Sequence, residues 1–200
     1  MHKLAAMNTP IFWAEGHPGN LPRENWQLRI HGSCEKPRIF TWEELNALPQ
    51  TEVYARLTSV TRWSVAGNWK GISLSTLLQL VEISPRCRFI RFWSYGEVYD
   101  TSIPLDIALL PKSIVAHSYD GELLTEDYGG PIRAFIPYVW GYKSAKSIVR
   151  IELMDYYIPG FWELRGYSDG ADIEAGACRD VNDGGKIKQI PDGEVLEFLP

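Results

Sequence analysis

The sequence predicts an α+β fold of mixed sheets with short helices. Three observations carry that expectation. Short alternating or β-branched runs are numerous along the chain. Only two stretches combine a helix cap with helical spacing. Those two stretches sit among the strands without the regular strand–helix alternation of a doubly wound parallel sheet. A chain of 200 residues is long enough to bury one sizeable core, so 1–200 reads as a single domain. Apolar residues make up 45% and charged residues 22%, a balance that excludes disorder throughout.

Residues 8–25 hold several Pro and Gly and show no period, so they read as an extended opening segment wrapped on a core. Trp26–His31 alternates apolar and polar and reads as a strand. Thr41, with Glu44 three residues later, forms a capping-box pattern that opens a short helix to about Leu48, and Pro49 ends it. Ser73 caps a second helix, Leu74–Val81, with Leu74, Leu77, Leu78 and Val81 on one face. Arg88–Trp93 and Ile114–His117 are strand-like, and Asp120-Gly121 reads as a tight turn. Ile132–Ile136 and Ser147–Leu153 are two more strands. Beyond Tyr156 the character shifts. Residues 168–200 read as a divergent, loop-rich tail, with turn dipeptides at Asp169-Gly170, Asp183-Gly184 and Asp192-Gly193. A short strand, Glu194–Leu199, is expected to close it.

The net charge of −5 argues against a chain built to bind nucleic acid. No run is apolar enough for a membrane span. Met1–Pro10 lacks the charged-then-apolar pattern of a secretion signal, so the expected location is cytoplasmic. Cys34, Cys87 and Cys178 are odd in number and form no CxxC pair, which excludes a disulfide framework or zinc site. His2, His17, His31 and His117 lack metal-ligand spacing. GxGxxG, Walker, GxSxG and HExxH patterns are all missing. Eight Trp and ten Tyr suit bulky core packing and also suit the walls around a large planar ligand.

Three segments carry chemistry: Thr58–Trp69 (TSVTRWSVAGNW), Tyr128–Pro137 (YGGPIRAFIP) and Gly141–Ser147 (GYKSAKS). A Gly-Gly-Pro turn followed by an Arg permits close backbone approach and supplies one fixed cation. The Lys-Ser-Ala-Lys loop supplies backbone N–H groups, a hydroxyl and two ammonium groups. Together they suit a phosphate-bearing ligand. Spacing alone equally admits two exposed loops with solvated charges.

Taken in order, WQLRIHG, FTWEELNALP, SVTRWSVAGNWKGISLSTLL, TSIPLDIAL, YDGELLTEDYGGPIRAFIP, GYKSAKSIVRIEL and PGFWELRGY cover the chain from about Trp26 to Tyr167. The set resembles the oxidoreductase molybdopterin-binding domain of the sulfite oxidase and bacterial methionine-sulfoxide reductase family. The likeness is to the small cytoplasmic members without haem or dimerisation domains. It implies the sulfite-oxidase molybdopterin-binding fold and a mononuclear Mo-molybdopterin cofactor. It also implies oxygen-atom transfer on a small oxyanion or sulfoxide, with a redox protein as electron partner.

Residue by residue, the resemblance implies the following. The family's metal-binding thiolate opens the C-V-T-x-W-S block, and Ser59 stands there. Arg133 maps to the cation that holds the pterin phosphate. Ser144, Ala145 and Lys146 map to the loop that wraps it. Tyr128 precedes Gly-Gly-Pro and maps to a cofactor contact. Tyr99 and Thr101 map to the region that reaches the pterin or the metal pocket. Arg62, three residues past Ser59, is a candidate to bind an oxyanion substrate or to pair with a carboxylate.

Ser59 is the central departure, because a hydroxyl is far less acidic than a thiol and a harder ligand. Gly166-Tyr167-Ser168 stands where the family often has Gly-Tyr-His, and the tail beyond leaves the pattern. The leading expectation is a molybdopterin-dependent oxidoreductase. The competing ones are a non-catalytic pterin- or phosphate-binding module that has lost the metal-ligand Cys, and a partner-binding domain that uses its acidic tail.

Overall fold

The computed structural model describes residues 7–199 except 15, 18 and 20. His2, most of the opening stretch read for a secretion signal and part of the segment 8–25 lie outside the described residues.

Two sheets form the body. The first has the order β2-β1-β10-β5-β6, with β1 Gln27–Gly32, β2 Arg38–Thr41, β5 Phe89–Ser94, β6 Asp100–Pro104 and β10 Ile148–Met154. The second runs β12-β11-β4-β7-β8, with β4 Trp63–Ser73, β7 Ile114–Tyr119, β8 Glu122–Leu123, β11 Gly176–Asp180 and β12 Lys186–Ile190. In that sheet β3 (Thr51–Ser59) also pairs with β4, and β9 (Arg133–Phe135) with β7. Parallel pairs (β1 with β10, β11 with β4) mix with antiparallel ones, as the α+β expectation requires.

The helices begin where their caps place them. Thr41 and Glu44 form the reciprocal capping box of α1 (Trp42–Ala47), and the Ser73 hydroxyl accepts from the Thr76 N–H at the start of α2 (Leu74–Leu80). Leu74, Leu77 and Leu78 of α2 are buried, as its spacing predicts. A third, one-turn helix, α3, spans Leu105–Ala108. No helix among the described residues is long and apolar enough to cross a membrane.

Alternation decides which face of each strand goes inward. Leu28 and Ile30 of β1, Ile90 and Phe92 of β5 and Ile151 of β10 pack into one cluster with Ile72, Val115 and Ala134 of the second sheet. A second cluster gathers Leu57, Val65, Trp69, Tyr119 and Phe135, and Met7 of the opening segment is fully buried in it. The six residues of β7 are all buried, because apolar layers cover both its faces. Each large apolar side chain so removed from water contributes about 1.5–3 kcal/mol.

The tail differs from its expected form. Residues 176–190 are a β-hairpin, β11 paired antiparallel with β12, with Cys178 and Ile190 turned into the core. β11 also joins β4 in parallel at Arg179↔Trp63 and Asp180↔Ser64. The strand expected at Glu194–Leu199 does not form. Only an isolated bridge links Leu199 to Gln189, while Val195 is buried.

Candidate cofactor site

A cavity of about 410 Å³ opens beside the second sheet, and segments distant in sequence form its walls. Ser59, Tyr99, Tyr128, Arg133, Ser144 and Lys146 all line it. Six of the nine residues singled out from the sequence therefore share one space.

One part of the lining is the β3–β4 hairpin. Ser59 ends β3 opposite Trp63, and the turn between them is closed by the Arg62 N–H donating to the Ser59 carbonyl at 2.8 Å. The Ser59 hydroxyl lies 2.9 Å from that of Thr61 and accepts from the Thr61 N–H at 3.2 Å. Val60, Thr61 and Trp63 line the cavity with it. Arg62 does not. Its backbone is left-handed (φ 62°), and its guanidinium donates to the carbonyls of Glu174 (2.8 Å) and Ala175 (3.4 Å) while stacking over Trp140. Of the two alternatives for Arg62, the structure shows the carboxylate pairing, to Glu174 at 3.8 Å. The turn aims this side chain at the tail, away from the cavity.

Arg133 forms another part of the lining. The Gly-Gly-Pro turn delivers it onto β9, and Gly130 is required there, since a Cβ would sit 2.3 Å from the Leu124 carbonyl oxygen. Arg133 is only 3% exposed. Its guanidinium donates to the carbonyls of Tyr128 (3.0 Å), Ser144 (3.0 Å) and Ala134 (3.4 Å). No carboxylate lies within ion-pair distance of it among the described residues. Burial pulls its pKa down to about 10, so it stays a cation at neutral pH, and a buried cation without a counter-charge is costly. Lys146 reaches the same region. Its ammonium donates to the Phe12 carbonyl at 2.9 Å and lies 4.6 Å from the centre of the Trp13 ring.

Two more sequence candidates are placed elsewhere. Ala145 is buried outside the lining, and its carbonyl accepts from the Ala134 N–H at 2.8 Å, so it fixes β9 beside the loop. Thr101 is fully buried and donates its hydroxyl to Glu163 Oε1 at 2.7 Å, behind the cavity wall. In the alternation of β6 its side chain points to that carboxylate and is not part of the cavity lining.

The remaining walls are aromatic. Phe12 and Trp13 come from the opening segment, Tyr142 from the Lys-Ser-Ala-Lys loop, and Trp162 and Tyr167 from the segment after β10. Trp162 stacks on Tyr167 at 4.9 Å and on Phe12 at 6.2 Å. The high Trp and Tyr content signalled such walls, and PGFWELRGY marked two of their members. Phe12 and Trp13 carried no local signal. Two buried donors at the cavity have no partner among the described residues, the Trp13 indole N–H and the Tyr128 hydroxyl. Burial raises the Tyr128 pKa, so that hydroxyl keeps its proton. Among the described residues no group of three or more His, Cys, Asp or Glu side chains could hold a metal by itself.

A model of the oxidoreductase molybdopterin-binding domain matches residues 15–162. This chain belongs to that family. It is 30% identical to an uncharacterized oxidoreductase, YuiH, of Bacillus subtilis over 156 residues, covering 76% of this chain and 78% of that protein. It is 29% identical to the protein-methionine-sulfoxide reductase catalytic subunit MsrP of Ralstonia nicotianae over 163 residues, 74% of this chain and 49% of the relative. The chain thus spans about half the length of the sulfoxide-reductase relatives it matches. Its fold is similar to that of the sulfane dehydrogenase SoxCD from Paracoccus pantotrophus, with a TM-score of 0.66 and 18% identity over 90% of this chain and 46% of that one.

The family cofactor is Mo-molybdopterin, and the residues present fit it. A buried, uncompensated guanidinium, a neighbouring ammonium and two orphaned donors form a receptor for a phosphate-tailed, hydrogen-bonding ring system.

Proposed function

We propose that this chain is a molybdopterin-dependent oxidoreductase that transfers an oxygen atom to or from a small sulfoxide or oxyanion. The observation that carries it is the shared cavity. Arg133, Ser144 and Lys146 offer an anion site, and Ser59 faces the same space. In this reading Arg133 and Lys146 hold the phosphate, and Tyr128 and Trp13 donate to the ring system. Ser59 stands at the metal position. Bound Mo-molybdopterin supplies a two-electron redox centre. The aromatic walls exclude water and present an apolar surface to the substrate body. The relatives named as methionine-sulfoxide reductases favour a sulfoxide. So does the orientation of Arg62, which leaves the lining around Ser59 without that cation. A redox protein is the electron donor in this reading.

Ser59 itself favours a second reading, a non-catalytic module that holds the pterin or another phosphate ligand without turnover. Purified protein separates the two. Molybdenum by elemental analysis, pterin emission from the denatured extract and turnover of a sulfoxide support the oxidoreductase. Pterin emission without molybdenum supports the binding module. A folded protein with neither removes both.

A further inference from the structure

Behind the cavity lies a buried ion pair that the site as described does not use. Lys143 and Glu163 are joined by a salt bridge with side-chain exposures of 1% and 0%. Thr101 donates its hydroxyl to the same Glu163 oxygen at 2.7 Å, and Lys143 also donates to the Ser102 carbonyl at 2.9 Å. The other Glu163 oxygen, Oε2, is buried with no partner among the described residues.

The members of this hub come from three different walls. Thr101 and Ser102 lie on β6, two and three residues past Tyr99. Lys143 lies between Tyr142 and Ser144 in the phosphate-facing loop. Glu163 follows Trp162 and opens the single helical turn Glu163–Arg165 ahead of Tyr167. Gly160 lets this last segment lie flat on β6, since a Cβ there would sit 2.4 Å from the Asp100 carbonyl oxygen, and the Phe161 N–H donates to that carbonyl at 2.9 Å. The Tyr99 hydroxyl donates to the Tyr142 carbonyl and closes a second strut between β6 and the loop.

We propose that Glu163 is a positioning residue that ties three cavity walls together through Lys143 and Thr101 and so sets the geometry of the phosphate-facing loop. The inference rests on the cofactor reading above and adds a residue one layer behind it. A buried pair is a weak source of net stability, because desolvation offsets most of the attraction. Its directional partners still fix where each wall can sit, as outer partners do around bound groups. Without the Glu163 charge, Lys143 keeps a buried ammonium with the Ser102 carbonyl as its oxygen partner among the described residues, and the loop must shift to hydrate it.

The test is Glu163→Gln, which keeps the volume and an acceptor for Thr101. The expected result is an about tenfold lower molybdopterin content per folded molecule. Faster amide exchange in residues 141–146 should accompany it, with exchange in β1 and β10 as in the wild type. Wild-type cofactor content with wild-type exchange in the loop overturns the proposal. Should Glu163→Gln fail to fold, Thr101→Val carries the same two readouts, with a several-fold loss expected for one strut, and unchanged values again overturn it. If the wild-type protein holds no molybdopterin, the proposed function fails, and the exchange comparison alone then decides the role of Glu163.

Discussion

Two parts of the cavity lining, around Arg133 and around Ser59, are built on opposite principles. The Arg133 part is buried, cationic and cross-tied: a guanidinium bonded to three carbonyls, a loop bonded back onto β9, and a glycine that admits no side chain. The Ser59 part is a hairpin turn, uncharged where it faces the cavity and held by a local hydroxyl pair. An anion site must be rigid and desolvated to hold its charge. A reactive part needs an open position, and a hairpin tip leaves one. The difference implies that retention of the cofactor and its chemistry are separable by mutation.

The strongest break of the comparison is Arg133→Met. Losing charge-assisted bonds worth about 3 kcal/mol should cut cofactor retention about a hundredfold. The melting temperature of cofactor-free protein should change little, because removing a buried cation without a counter-charge offsets the loss of its three carbonyl bonds. Pterin quantification and a thermal melt check both halves, and a protein that loses stability but keeps its pterin would break the assignment. Lys146→Met comes next. Only part of the anion charge and the link to the Phe12 carbonyl go with it, so an about tenfold loss in retention is expected, again read as pterin per folded molecule. Ser59→Cys should leave retention unchanged and act at the Ser59 part alone, raising sulfoxide turnover about tenfold or more and adding visible thiolate-to-metal absorption. Altered retention in that variant would mean the two parts are not separable.

The smallest effect sharpens the comparison from outside the cavity. His117 on β7 bonds to Gln50 at 2.8 Å, and burial holds its pKa below the ordinary histidine range. The unfolded chain then takes up a proton first as pH falls below about 6.5. The stability tied to the neutral ring is therefore present above about 6.5 and is lost on acidification toward the lowered folded value. His117→Gln should flatten this part of the stability–pH curve and leave pterin retention at its wild-type level, as measured by denaturant unfolding from pH 5 to 7.

Two of the three α-helices, α1 and α2, and three of the five first-sheet strands were legible because caps and alternation are local signals; α3, which has no side-chain cap, was not. Thr41, Glu44 and Ser73 announced their helix starts, and Leu74, Leu77 and Leu78 their buried face. The β11–β12 hairpin was not legible. Its apolar alternation is reduced to Cys178 and Ile190 among charged neighbours, and its turns read as loop. In the site, the Arg and Lys loops could be read because each motif is contiguous. Thr101 and Arg62 were placed less well, because the face of a strand or the hand of a turn decides them. A left-handed residue at position 62 reverses the side chain. PGFWELRGY marked Trp162 and Tyr167, but Phe12 and Trp13 join them only through tertiary packing, which no local pattern encodes.

The parallel seam between β11 and β4 also constrains how the chain can be made. The Asn182 side chain accepts from the Ala66 N–H at 2.7 Å across 116 residues of sequence, and Arg179 pairs beside Trp63 next to the turn that holds Ser59. Until β11 has been made, that edge of β4 is bare. The hairpin that presents Ser59 thus gains its neighbouring strand only long after its own residues have been joined.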